Sequence, residues 1–161
     1  MHVTWSWLKR TEGDVVPEDA LVDYREEFFS ELRDRVYEVG LLDLGGVVLA
    51  DSLRYLIHSV CFKAVQSLRT GQPFVYQYTD ADADVTFTPD GADVVVTGAT
   101  EAPVRFKSAD LLPALVACGE RFQRFLADAA ADDPGWSDEA AEIGKSAAAA
   151  RAALAAPPPA A

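Results

Sequence analysis

Lysine and arginine are scarce in this chain: 14 of them stand against 26 aspartates and glutamates in 161 residues, a formal net charge of −12. The deficit argues against nucleic acid as a partner, because phosphate binding needs clustered Lys and Arg to displace counterions. It favours a basic protein partner, and it also serves solubility. Histidine is nearly absent. With only His2 at the terminus and His58 inside the chain, the folded core cannot build a two-histidine zinc site. Cysteine is equally rare, and Cys61 and Cys118 both fall on apolar stripes of expected helices, as buried thiols of a reducing compartment do. Long apolar runs are missing too. The longest, Val39 to Ala50, is interrupted by Asp43 and is too short for a bilayer. Met1 to Trp7 lacks the charged region and apolar run of a signal peptide. A cytoplasmic protein without membrane association is therefore expected. There is no G-x-G-x-x-G, G-K-[ST], G-x-S-x-G or H-E-x-x-H, so no cofactor, metal or catalytic residue is expected from motifs.

What is present is enough for a core: half the residues are hydrophobic and a tenth aromatic. Residues 2–8 alternate, with Val3, Trp5 and Trp7 on one side, as a half-buried strand does. Residues 11–18 are charged and turn-like. From Asp19 to Val39 the positions Leu21, Tyr24, Phe28, Leu32, Val36 and Val39 predict an amphipathic helix capped by Gly40. Its outer face carries Glu26, Glu27, Glu31, Asp34 and Glu38. Residues 41–50 are ambiguous, with Gly45-Gly46 marking a bend. Residues 51–69 predict a second helix, opened by an Asp51 or Ser52 cap, with a stripe from Leu53 to Leu68 and Gly71 as its stop. A second row on this helix (Tyr55, Ser59, Phe62, Gln66) predicts cover on both sides.

Residues 73–107 read as four alternating strands. Phe74, Tyr76 and Tyr78, then Val85 and Phe87, Val94 and Val96, and Val104 and Phe106 share one face. Pro89-Asp90-Gly91 signals a hairpin. A last firm helix is expected from about Pro113, after a short turn at 108–112, with Gly119 allowing a close approach to a neighbour. Residues 128–161 hold 15 alanines; Ala140 to Leu154 has helical propensity but no apolar stripe beyond Ile143 and Leu154, and the segment is read as a loosely attached or disordered acidic tail. The expected fold is α+β: one domain over residues 1–127, an antiparallel four- to five-stranded meander sheet with amphipathic helices on its aromatic face.

Few constellations carry chemistry. Asp80, Asp82 and Asp84 open like a calcium loop, but Val85 stands where the glycine is needed and Gly91 where a bidentate glutamate belongs. His58 lacks an orienting carboxylate within one helical turn. Cys61 belongs to a buried stripe and not to an electropositive setting.

The run Leu44-Gly45-Gly46 to Asp51-Ser52-Leu53-Arg54-Tyr55, then Leu68-Arg69-Thr70-Gly71-Gln72, the strand meander and Ser108-Ala109-Asp110-Leu111-Leu112 together resemble small α+β immunity proteins of bacterial polymorphic-toxin systems. The chain is also similar to actinobacterial proteins of alanine-rich, lysine-poor composition. The resemblance covers residues 40–127, is one of layout and carries over no functional residue. It implies an acidic protein that caps a toxin's active site. The expected function is thus non-enzymatic binding of a protein, with a basic partner met by Glu26, Glu27, Glu31, Asp34 and Glu38 or by Asp80, Asp82 and Asp84. Two alternatives stand beside it: a small enzyme or ligand-binding protein with a pocket near His58, and an oligomeric accessory protein using the Tyr55/Phe62 helix face.

Overall fold

Eight strands and four helices account for most of the chain in the computed structural model, which describes residues 1–9, 13–33 and 39–157. The α+β class holds, but the strands divide into two antiparallel sheets of four. The first sheet contains β1 (Thr4–Leu8), β2 (Val15–Pro17), β3 (Val39–Asp43) and β4 (Val48–Ser52), in the order β2-β1-β3-β4. The second is the meander, β5 (Phe74–Gln77), β6 (Asp84–Asp90), β7 (Asp93–Thr97) and β8 (Val104–Lys107), in sequential order.

The meander follows its alternation closely. Phe74 lies opposite Phe87, Tyr76 opposite Val85, Phe87 opposite Val96, and Val94 opposite Phe106. One face therefore collects the large apolar side chains, and cross-strand pairs of this kind are what stabilise a sheet. The expected fifth strand, at residues 2–8, does not join it. It pairs instead with β2 and β3, Trp5 opposite Leu42 and Trp7 opposite Val16 and Gly40.

This first sheet corrects the expected helix over 19–39. After a 3-10 turn (Leu21–Tyr24), helix α1 spans Arg25–Arg33, and Val39 and Gly40 already belong to β3. Asp34 and Glu38 fall outside the described residues. Gly40 is no helix cap: a Cβ there would lie 2.7 Å from Leu53 Cδ1, so the missing side chain lets the next helix settle on the strand. The β3–β4 hairpin turns at Gly45 and Gly46, both with positive φ, and Asp43 Oδ1 accepts from their N–H groups at 2.8 and 2.7 Å.

Helix α2 runs through residues 53–69 as α (Leu53–Leu56), π (Ile57–Lys63) and α (Ala64–Arg69) segments, the Ala64 N–H reaching Ser59 O five residues back. It touches both sheets and the two later helices. Burial all round follows, with only Tyr55 and Lys63 exposed along the helix.

Helix α3 spans Ser108–Asp132 without the expected break before Pro113. Pro113 and Ala109 are both exposed, so water can replace the bond that proline removes. Gly119 makes the anticipated close approach: a Cβ there would sit 2.6 Å from Phe62 Cε1 and 2.9 Å from Cys61 Cβ.

The segment expected as a loose tail is corrected as well. Residues 137–155 form helix α4 (Ser137–Ala155), with Ala140, Ile143, Ala147 and Ala150 buried. Alanine spacing of this kind lets helix axes come close without long side chains, which is how α4 packs on α2 and α3. Trp136, just ahead of it, is buried with its ring 5.0 Å from Phe29. Trp5 and Trp7 are core residues, stacked edge-on against Phe122 and Phe28. Each buries about 200 Å², or about 5 kcal/mol of apolar transfer before entropy is counted.

Candidate functional site

Along β4 the side chains of Leu49 and Asp51 point inward while Val48 and Ala50 are exposed. An inward carboxylate needs donors, and Asp51 has four. Tyr76 Oη donates to Oδ2 at 2.7 Å and the Thr79 N–H to the same oxygen at 2.9 Å. The Ser52 N–H donates to Oδ1 at 2.7 Å, and the Thr79 hydroxyl also donates to Oδ1. Burial alone would raise the Asp51 pKa, but these bonds outweigh it and hold the carboxyl below its ordinary value. Burial and the adjacent Asp51 charge in turn push the Tyr76 hydroxyl well above the usual tyrosine range, and Tyr78 shifts the same way for the same causes.

Asp51 therefore does not cap α2 as expected, and Ser52 at the cap position makes no side-chain cap bond. It ties the first sheet to the β5–β6 connection. An inward charge on the edge strand β4 also guards that edge against pairing with another chain. Tyr76 stands at the centre of three tyrosines, its ring 5.4 Å from both Tyr55 and Tyr78. Past Thr79 the chain turns through Asp80, Asp82 and Asp84, all exposed, closed by Tyr78 N–H donating to Ala83 O at 3.2 Å.

Three depressions join here. One, of about 460 Å³, is lined by Ser52, Arg54, Tyr55, His58, Glu139 and Glu142, with Ile143 below. It shares Ser52 with a second, of about 170 Å³, which adds Val39, Ala50, Asp51, Tyr78 and Asp80. That one shares Tyr78 and Ala81 with a third, of about 290 Å³, holding Asp82 and Asp84. The result is a trough made of three adjoining depressions from His58 to Asp84. Apart from the braced Asp51, it carries five carboxylates (Asp80, Asp82, Asp84, Glu139, Glu142) and one guanidinium, Arg54, which is bound to Glu139 at 2.6 Å. His58 sits at one end, its pKa lowered by burial and by Lys63 against the opposing pull of Glu142 and Glu139.

The α1 carboxylates lie in other surroundings. Glu27 is paired with Lys9 Nζ at 2.9 Å, and that ammonium also lies 4.9 Å from the centre of the Tyr24 ring. Glu31 accepts from Trp7 Nε1 at 3.2 Å, so it anchors a core residue. Glu26 is exposed and borders a separate groove with Arg25, Phe29 and Trp136. The Tyr55/Phe62 row is not one surface: Tyr55 is exposed, while Phe62 and Ser59 are buried. Cys61 and Cys118 are free, buried thiols, and burial together with the Cys118 contact pushes the Cys61 pKa well up. A thiol so placed is a poor nucleophile. Among the described residues no three His, Cys, Asp or Glu side chains converge on a point fit for a metal ion, and no helix is long and apolar enough to cross a membrane.

The sequence offered Asp51 only as a helix cap and Tyr78 only as a sheet-face residue, and it did not single out Glu139 or Glu142. Asp51 had a legible signal, since it shares the parity of Leu49 in a short alternating run. Glu139 and Glu142 had none, because only the docking of α4 brings them to His58. Against protein-family models, curated proteins and solved structures, the chain finds no match.

Proposed function

We propose that this chain is a non-enzymatic protein-binding protein whose acidic trough receives a basic, extended segment of its partner. The observation that carries this is the placing of Asp80, Asp82, Asp84, Glu139 and Glu142 with Tyr55 and Tyr78 along three adjoining depressions. An incoming lysine or arginine finds carboxylates and tyrosine faces together, and each exposed cation–π contact adds about 0.5–1 kcal/mol. The net charge of −12 speeds encounter with a basic surface, an effect that salt weakens. The Asp51 brace holds Tyr76 and Thr79 beside the acidic turn beforehand, so less ordering is left for the moment of binding.

A toxin-neutralising role of the immunity type, in the cytoplasm, is the specific form of this proposal. A toxin's basic active-site surface is then the segment received. The α1 face ranks behind the trough, since Glu27 and Glu31 already have partners within the chain, while the trough keeps the exposed cluster Asp80, Asp82 and Asp84 beside the paired Glu139 and Glu142.

Selection of a random peptide library on the immobilised protein tests the proposal. Peptides rich in Lys and Arg are expected, bound at least about tenfold more weakly by the Asp80→Asn/Asp82→Asn/Asp84→Asn variant and released by salt. Selected peptides without basic residues, or peptides that the triple variant holds as tightly, would overturn it.

The place of His58 in its groove supports a second reading, binding or turnover of a small ligand with the imidazole as base. Any activity found should then vanish in His58→Ala; activity that persists there removes this alternative.

A further inference from the structure

The chain has two cysteines, and folding brings them together. Cys61 belongs to the π segment of α2 and Cys118 to the middle of α3. Both are free thiols, and both are fully buried. They meet where the two helices come closest: a Cβ on Gly119, the neighbour of Cys118, would lie 2.9 Å from Cys61 Cβ. The Cys61 and Cys118 side chains share a hydrogen bond, and the Gly119 N–H donates to the Cys61 sulfur. Leu115 and Phe122, one turn to either side of Cys118, are fully buried as well, so the frame around the pair is packed.

A single buried thiol is inert. Two in contact are a different case, because a disulfide asks only that the Cβ atoms come within about 3.5–4.5 Å and point towards each other. The glycine at the helix crossing supplies the approach, and the hydrogen bond between the side chains shows that the sulfurs face each other. The bond would close a loop over residues 62–117, which hold the end of α2, the whole second sheet and the start of α3. Closing so long a loop removes much of the freedom of the unfolded chain.

We propose that Cys61 and Cys118 form a reversible disulfide that locks α2 to α3, with a small-molecule disulfide, RSSR, as the oxidant. This does not rest on the trough and its basic partner. One protein thiolate attacks RSSR, forming a mixed disulfide and expelling one RS⁻. The other then attacks the protein sulfur of that adduct and expels the second RS⁻. Two electrons pass to the oxidant, and the two thiol protons leave on the two RSH released. The second step is intramolecular between groups already in contact, so the adduct is short-lived. The first step needs α2 and α3 to part locally, since both sulfurs are buried, and exchange is therefore slow in the closed fold. A reducing compartment keeps the dithiol, and an oxidising shift converts it.

Equilibration of the full chain in glutathione buffers, from fully reduced to fully oxidised and through a cycle of unfolding and refolding in urea, tests this. Intact mass and peptide mapping identify the products, and thermal melting compares their stability. At the oxidised end the expected product is a monomer that has lost two hydrogens and carries a Cys61–Cys118 cross-link. It should melt about 10 °C above the reduced chain, and dithiothreitol should reverse both changes. Cys118→Ser should melt alike in both buffers. Should that variant misfold, alkylation of the wild type serves instead, with both thiols labelled in the unfolded reduced chain and neither in the unfolded oxidised one. A chain that keeps two free thiols at the oxidised end overturns the proposal. So do glutathione adducts in place of the cross-link, links only between molecules, or a cross-linked monomer that melts no higher than the reduced one.

Discussion

Asp51 shows how one side chain connects stability, acidity and the candidate site. Its carboxylate accepts from Tyr76, Thr79 and Ser52 in a buried setting, so Asp51→Ala leaves donors without partners. A loss of about 3 kcal/mol is expected, read as a lower urea midpoint. The same group sets an acid limit. Its folded pKa is depressed from 3.8, so its stabilisation is complete above that value and disappears as pH falls through the folded pKa. Melting temperatures followed below pH 4 should fall more steeply for the wild type than for Asp51→Asn. Equal slopes would assign the acid transition to other carboxylates. Gly119 makes the opposite point about size. Alanine there gains about 1 kcal/mol of helix propensity but drives a methyl into Phe62 and Cys61, an overpacking that costs about 1–3 kcal/mol. Thermal melting should therefore show Gly119→Ala to be less stable than wild type; a gain would mean that the Phe62 ring swings away freely. The glycine's role was legible from its place inside a predicted helix. The partner of Asp51 was not, because Thr79 and Tyr76 lie more than 20 residues away in sequence.

Among the elements, α4 departs furthest from sequence expectation. Its apolar content is mostly alanine, and a stripe of methyl groups carries little periodic signal beside leucine or valine. Its place is decided by partners elsewhere. Arg69 of α2 donates to Ala153 O at 3.1 Å and to Ala156 O, closing carbonyls at the α4 C-terminus. Arg54 binds Glu139 near its start, and its own Arg151 reaches Glu120 on α3 at 2.9 Å from Nε. These partly exposed ion pairs are each worth at most about 1 kcal/mol, so α4 is held by several weak ties and not by one strong one. In Arg69→Ala the amides of residues 150–156 should exchange faster, with a global loss of about 1 kcal/mol. Unchanged exchange there would show that alanine packing alone secures the last turn. The meander illustrates the reverse case: its period of two, its shared apolar face and a hairpin near Pro89-Asp90-Gly91 were legible, since hairpin contacts are local in sequence. Pro89 and Asp90, however, continue β6, and the chain turns at Gly91 and Ala92.

At the scale of the molecule, charge is distributed by tertiary structure into surfaces of different kinds. The trough concentrates carboxylates around tyrosines, while the outer face of the first sheet is almost free of charge. Salt should therefore weaken basic-peptide binding, measured by titration at low and high ionic strength; an affinity that salt leaves unchanged would mean that the trough carboxylates do not meet the peptide. The acidity, the α+β class, the meander, the central helix 53–69 and the close approach at Gly119 were determined by the sequence itself, because composition, short-range periodicity and turn residues act within a few positions of one another. Tertiary structure decided that residues 39–52 form a hairpin in a second sheet, that 137–155 dock as a helix, and that Asp51, Tyr55, Tyr78, Asp80, Glu139 and Glu142 line adjoining depressions. Those outcomes depend on contacts between residues far apart in the chain, where backbone pairing, burial and hydrogen bonding outweigh local preference.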